Sequence, residues 1–222
     1  MRKFFYIIGA FLFGCCFLIA CSYSMASQIK NNMSELTTVL YAGEHADFYA
    51  TLTCGLREEP YVFDGHSKES QNFAVLTVTL FNTQTMPTLP YKITINSHVY
   101  EGELDRNTLK ANYMIDLGIS VAENSEITLV FCENEIALNC ISDDFETNST
   151  LAIDLAIENL NNELIEEFKG GDFNGECYLR ILNNPMQNKN VFFWHFSIVN
   201  TSSKIIATVI IDTMSSTILA KY

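Results

Sequence analysis

The sequence predicts a β-rich chain in two parts: an antiparallel β-sandwich over residues 36–141, then an α+β unit over residues 145–222 in which one helix packs on a four-stranded antiparallel meander. Three observations lead there. Short runs rich in Val, Ile, Thr and Tyr recur through the first part, broken by Gly, Asn and Ser. One stretch beginning near residue 150 instead repeats its apolar residues at intervals of three and four, the helical period. Four further apolar runs follow it, divided by breaks containing Asn, Pro, Ser and Thr.

The chain opens with Arg2-Lys3 and an apolar run over residues 4–20, the layout of a secretory signal. That run is slightly shorter than the ~20 residues a membrane-spanning helix uses. It ends in Leu18-Ile19-Ala20-Cys21, which resembles the lipobox of bacterial lipoproteins. The resemblance implies a signal peptide over residues 1–20, a palmitate-type acyl anchor on the Cys21 sulfur, and a place on the extracytoplasmic side of the cell membrane. Two other readings stay open. Ser24-Met25-Ala26 is an ordinary signal-peptidase site whose use would release a soluble protein, and an uncut anchor is the third possibility. Residues 21–35 are mostly small and polar and are expected to form a tether.

Removing residues 1–20 leaves 202 residues with 11 basic and 26 acidic side chains, a net charge near −15. Such a charge repels nucleic acid and anionic lipid headgroups, so a nucleic-acid partner is excluded and the N-terminus must supply any membrane attachment. With Cys15 and Cys16 in the signal and Cys21 lipidated, Cys54, Cys132, Cys140 and Cys177 remain. In an oxidising compartment these permit a disulfide, expected from Cys54 to Cys132 or Cys140 with Cys177 free; buried free thiols are the alternative. There is no C-x-x-C pair, hence neither a redox motif nor a zinc knuckle.

Within the first part, Leu36–Tyr41 and Phe48–Cys54 flank a Gly43-Glu44-His45 break. Phe73–Phe81 alternates with Thr, and Tyr91–Ile95 and Val99–Leu104 flank Asn96-Ser97. Tyr113–Val121, Ile127–Cys132 and Ile136–Leu138 complete seven or eight strands, the number and spacing of a sandwich of immunoglobulin-like type. The segment from Gly55 to His66 is long for a strand connection and concentrates Arg57, Glu58, Glu59, Tyr61, Asp64 and His66, which makes it the candidate interaction loop. Packed as a crossover between sheets, with Arg57 paired to a neighbouring acid, it would instead be structural.

In the second part, Asn148 or Ser149 caps a helix from about Thr150 to Phe168, ended by Gly170-Gly171, with Ile153, Ile157, Leu160, Leu164 and Phe168 as its apolar stripe. Strands are expected over 177–182, 191–199, 204–212 and 217–221. The aromatic strand Phe193-Trp194-His195-Phe196, a strand ending in Asp212, a tight turn and a short last strand resemble the close of a PepSY-type or cystatin-like module, with Ser215-Ser216 where such modules carry Thr-Gly. The resemblance implies an inhibitory or ligand-binding accessory module without catalytic residues. Phe192, Trp194 and Phe196 belong under the helix; Val191, Phe193 and His195 form the other face, apolar enough to be a candidate interface.

None of His45, His66, His98 and His195 has a second ligand at metal-binding spacing. No nucleophile elbow, phosphate cradle or S-x-x-K motif occurs, so no catalytic residue, metal or cofactor is expected. The expected function is that of a membrane-tethered extracytoplasmic interaction or accessory lipoprotein, with a protein partner or self-association. An inhibitor or regulator of an extracytoplasmic peptidase is the alternative.

Overall fold

The computed structural model describes residues 25–82, 86–107, 112–160, 164, 168, 173–184 and 188–222; the expected signal segment 1–20 and Cys21 lie outside them. Residues 25–31 are helical (α1). Eight strands follow: β1 (Met33–Glu44), β2 (Phe48–Glu58), β3 (Ser70–Leu80), β4 (Thr88–Ile95), β5 (His98–Asn107), β6 (Asn112–Asp116), β7 (Ile127–Phe131) and β8 (Asn134–Cys140). After a 3-10 turn at Ser142–Asp144 come α2 (Ser149–Glu158) and strands β9 (Glu176–Asn184), β10 (Asn188–Val199), β11 (Ile205–Asp212) and β12 (Ile218–Lys221).

The first eight strands close into an antiparallel barrel, which corrects the expected sandwich. The order runs β1-β2-β3-β6-β5-β4-β7-β8, and β8 returns to β1 through Tyr41↔Cys140 and Ala42↔Asn139. The number and spacing of the strands suggested a sandwich, but a filled barrel is built from the same strands and buries the same alternate positions. Phe48, Ala50, Leu52 and Cys54 of β2, Ala74, Leu76 and Val78 of β3, and Ile127, Leu129 and Phe131 of β7 all share one core. Burying a large side chain of this kind stabilises by about 1.5–3 kcal/mol, so the interior is a packed core. Closure depends on β1 changing neighbours. A bulge between Thr37 and Val39 bends it toward β8, and β2 meets the bulge with Gly55, where a Cβ would lie 2.0 Å from the Leu36 carbonyl oxygen.

The expected helix on a four-stranded meander is also corrected. Strands β9 to β12 are not a separate helix-on-meander unit, because the first residues of β1 pair in parallel with β9 at Met33↔Cys177, Glu35↔Tyr178 and Leu36↔Leu179. All twelve strands therefore belong to one sheet, whose β1 serves the barrel with one end and the open extension with the other. The tether does not reach residue 35: α1 buries Ile29 completely, and β1 has begun at Met33.

Helix α2 starts where its cap lies, Asn148 Oδ1 accepting from Leu151 N at 2.9 Å, and ends at Glu158, earlier than the stripe suggested. Ala152, Ile153 and Ala156 of α2, with Ile29 of α1, pack on Leu179, Trp194, Phe196, Val209 and Ile211. Leu164 and Phe168 join this core, whereas Gly170-Gly171 lie outside the described residues. Trp194 Nε1 donates to the Thr147 carbonyl at 2.6 Å, tying the strand to the helix entrance. The helices thus occupy one face of the extension and leave the other to something else.

Candidate functional site

That other face is met by the connection between β2 and β3. The two strands pair from Phe48↔Leu80 to Glu58↔Ser70, so residues 59–69 form a hairpin loop and not the crossover between sheets that length alone allowed. Glu59 N donates to Glu69 O at 3.1 Å and closes its neck. The loop then lies across β1 and β9, strands more than 100 residues apart in sequence at their point of pairing.

Two glutamates hold it. Glu58, at the end of β2, and Glu176, at the start of β9, are both fully buried. Glu58 Oε1 accepts from Val62 N at 3.4 Å and Oε2 from Lys68 N at 3.2 Å; Glu176 Oε2 accepts from Gly65 N and from the Tyr178 hydroxyl, each at 2.9 Å. Three backbone N–H groups that the loop would otherwise bury unpaired therefore end on carboxylates. Hydrogen bonds to charged groups contribute about 1.5–3 kcal/mol each. Gly65 is required at its position, with φ at +81° and a Cβ that would fall 2.4 Å from Asn200 O. Asp64 turns the tip, accepting from His66 N at 3.1 Å and from Lys68 Nζ at 2.6 Å.

The side chains above this floor form a second layer. Phe63 stacks on Tyr178 with ring centroids 5.5 Å apart, and Arg180 lies 4.5 Å from the Tyr178 ring centre. Tyr61 bonds to Glu35 and to Arg180, whose Nε donates to Glu35 Oε2 at 2.8 Å. Arg57 pairs with Asp116 and stands over the rings of Tyr61 and Phe73 at 5.0 and 5.2 Å. Burial, and then the Glu35 charge, push the Tyr61 hydroxyl well above the usual tyrosine range. Burial likewise raises the Glu58 carboxyl, and burial with the neighbouring Arg180 charge lowers His195, which favours the neutral ring.

Of the sequence-named loop residues, Arg57, Glu58, Tyr61 and Asp64 come together here, while Glu59 and His66 point to solvent. Of the candidate face, His195 sits half-buried in register with Arg180, Phe193 is half-buried opposite Leu182, and Val191 is exposed. The sequence reading missed Glu35, Glu176, Tyr178 and Arg180. A signal was present: Glu176, Tyr178 and Arg180 alternate along one strand and give its second face polar atoms and a ring where plain solvent exposure needs neither.

The expected disulfide is not formed, and all four described thiols are free. Cys132 lies in the β7–β8 turn beside Asp47 and Phe48, at the start of β2. Cys54 is six residues further along that strand, about 20 Å at the strand rise of ~3.3 Å per residue, far beyond the ~7 Å reach of a bridge. Cys140 is separated from Cys54 by β1, being paired with Tyr41 while Cys54 is paired with Val39. The turn itself is Cys132-Glu133, both at positive φ (49° and 66°).

What remains open is apolar. Tyr61, Val62 and Phe63 are 43, 43 and 46% exposed although the backbone beneath them is clasped, and Leu182 and Val191, at 37 and 42%, are exposed on β9 and β10 beyond the paired Arg180 and His195. The arrangement is a fixed aromatic platform beside an uncovered sheet face, held by paired charges. Among the described residues, no three His, Cys, Asp or Glu side chains are grouped as metal ligands, and no helix is long and apolar enough to cross a membrane. No protein-family model, curated protein or solved structure matches the chain.

Proposed function

We propose that this chain is an extracytoplasmic interaction protein, tethered to the membrane through its N-terminus, that docks a protein partner on the platform of Tyr61, Val62 and Phe63 and the adjoining face of β9 and β10. The observation that carries the reading is the exposure of these aromatic and aliphatic side chains on a backbone fixed by buried carboxylates. Exposed aromatic and aliphatic side chains on a rigid frame are characteristic of binding surfaces, since ordering them on binding costs little entropy.

Charge defines the partner further. Arg57, Arg180 and Lys68 are each occupied by Asp116, Glu35 and Asp64. Exposed Glu59 and Glu69, at the two ends of the loop, have no ion pair among the described residues, and the whole chain carries −13. The fitting partner presents an apolar centre with a basic rim, which would steer association in a salt-dependent way. The lipobox-like Leu18-Ile19-Ala20-Cys21 supports the tether.

Photo-crosslinking residues placed at Phe63, Val191 and, as a control on the barrel, exposed Val99 test this in intact envelopes. The expected result is one shared adduct from positions 63 and 191, absent from 99 and weakened by raised salt. An adduct of twice the chain mass would show self-association instead, and equal labelling from all three positions would remove the reading.

A further inference from the structure

Helix α1 is fixed to the body, and this sets where the chain enters it. Ile29 is fully buried in the core beneath α2, and Met25 packs against that core. Gln28 Oε1 accepts from Phe173 N at 2.9 Å, Asn32 Nδ2 donates to Phe173 O at 3.1 Å, and Lys30 Nζ meets Asp154 Oδ1 of α2 at 2.9 Å. The entry point therefore lies on the helix-covered face of the extension. The 59–69 loop lies on the opposite face, where Phe63 stacks on Tyr178. Leu151, Asp154 and Glu158, three and four residues apart, form the outer stripe of α2, and Leu151 and Glu158 are exposed.

We propose that the outer side of α1 and α2 is the surface this chain presents to the lipid headgroups. The platform of Tyr61, Val62 and Phe63 then faces the aqueous space, and its partner docks from there. The inference rests on the N-terminal tether of the proposed function and deepens it. Its ground is reach. Four residue steps separate Cys21 from Met25. A chain spans at most ~3.6 Å per residue, so Met25 stands no more than about 14 Å from a lipidated Cys21. The platform lies one layer above the sheet and α1 one layer below it. Such layers are about 10 Å apart, so turning the platform onto the bilayer would lift Met25 by about 20 Å, beyond the tether. Charge gives the helix side no hold of its own. Lys30, the single basic residue of α1 and α2, is paired with Asp154, and the whole chain carries −13. The short tether, and no attraction to anionic headgroups, keeps this side down.

The test uses the full membrane-derived chain in phosphatidylcholine vesicles that carry a spin-labelled headgroup. A fluorescent side chain is placed singly at Glu158 on α2, at Val62 on the platform, or at Val99 on the barrel; Leu151 replaces Glu158 if that probe disturbs the helix. Quenching at 158 should exceed that at 62 severalfold, with 99 as the reference for a part remote from the anchor. Twenty Gly and Ser residues inserted after Ser22 give a tether with a span of about 27 Å, enough to free the body. In that variant the quenching at 158 should fall to the level at 62. Equal quenching at 158 and 62 in the wild type, or stronger quenching at 62, overturns the inference. An unchanged pattern with the long tether also overturns it, because the helix side would then be held by its own affinity. Intact mass separates the two readings. An acylated chain with the wrong pattern removes this orientation alone, whereas a chain without acyl groups removes the tether and the orientation with it.

Discussion

Replacing Gly65 by alanine tests the clasp through its tightest point. The backbone there has φ at +81°, a conformation that costs an L-residue with a Cβ about 1–2 kcal/mol. The added carbon would sit 2.4 Å from Asn200 O and 2.9 Å from Thr201 Cα. Both are backbone atoms of the β10–β11 turn, so no side-chain rotation relieves the overlap. Restoring ordinary contact requires the loop to rise by roughly 1 Å, which stretches the Gly65 N–Glu176 Oε2 bond beyond hydrogen-bonding range and forfeits about 1.5–3 kcal/mol. The two costs together come to about 2.5–5 kcal/mol, or roughly two to three and a half powers of ten in the closing equilibrium. The loss should be local. Hydrogen exchange at Val62, Gly65 and Lys68 should accelerate by that factor while barrel amides keep theirs, and the urea midpoint of the barrel should move little. A Gly65→Ala protein with wild-type protection in the loop would refute the account of how the loop is held.

Cys21→Ala should abolish acyl labelling and leave unprocessed precursor, whereas a wild-type mature N-terminus at Ser27 would contradict lipidation. Thiol labelling at pH 8, mapped by peptide, should reach exposed Cys132 first and Cys140 later; Cys54, pushed up to about 12 chiefly by burial, and fully buried Cys177 should react only after unfolding, and early labelling of Cys54 would contradict the barrel interior. Cys132→Asn with Glu133→Gly should raise the urea-unfolding free energy by about 1–2 kcal/mol, because both positions have positive φ in a two-residue hairpin turn. No gain would mean that the turn is held in another conformation.

The strands and the cap were legible in the sequence because both are local. Alternation marked Phe48 to Cys54 and Ile127 to Phe131 as one-sided strands, and Asn148 announced the start of α2. Closure of the barrel was not legible, since period-two burial says which residues face inward and nothing about which strand lies beside which. The decisive events, the Thr37/Val39 bulge and the Tyr41↔Cys140 pairing, leave no compositional mark. The loop was noticed for its length and mixed charge, and Arg57, Glu58, Tyr61 and Asp64 do meet in it. Its seat was hidden, because Glu35, Glu176, Tyr178 and Arg180 reach it only through the parallel β1–β9 pairing. The helix was overextended because Leu164 and Phe168 keep the helical spacing while reaching the same core beyond the end of α2 at Glu158.

The docking face itself is tested most directly by Phe193→Asp in the membrane-tethered chain carrying a photo-crosslinker at Val191. Phe193 is half-buried on the open face between Leu182 and Asp212, away from the core beneath α2, so the variant should keep a cooperative urea transition with a lowered midpoint, since the new carboxylate lies across from Asp212. A carboxylate beside Leu182 and Val191 must be desolvated without a partner when the face is covered, a cost to binding beyond the cost to folding. The account predicts that the crosslinked adduct drops at least about tenfold, the loss that ~1.4 kcal/mol produces. An adduct formed at wild-type yield by a protein that folds normally would contradict it.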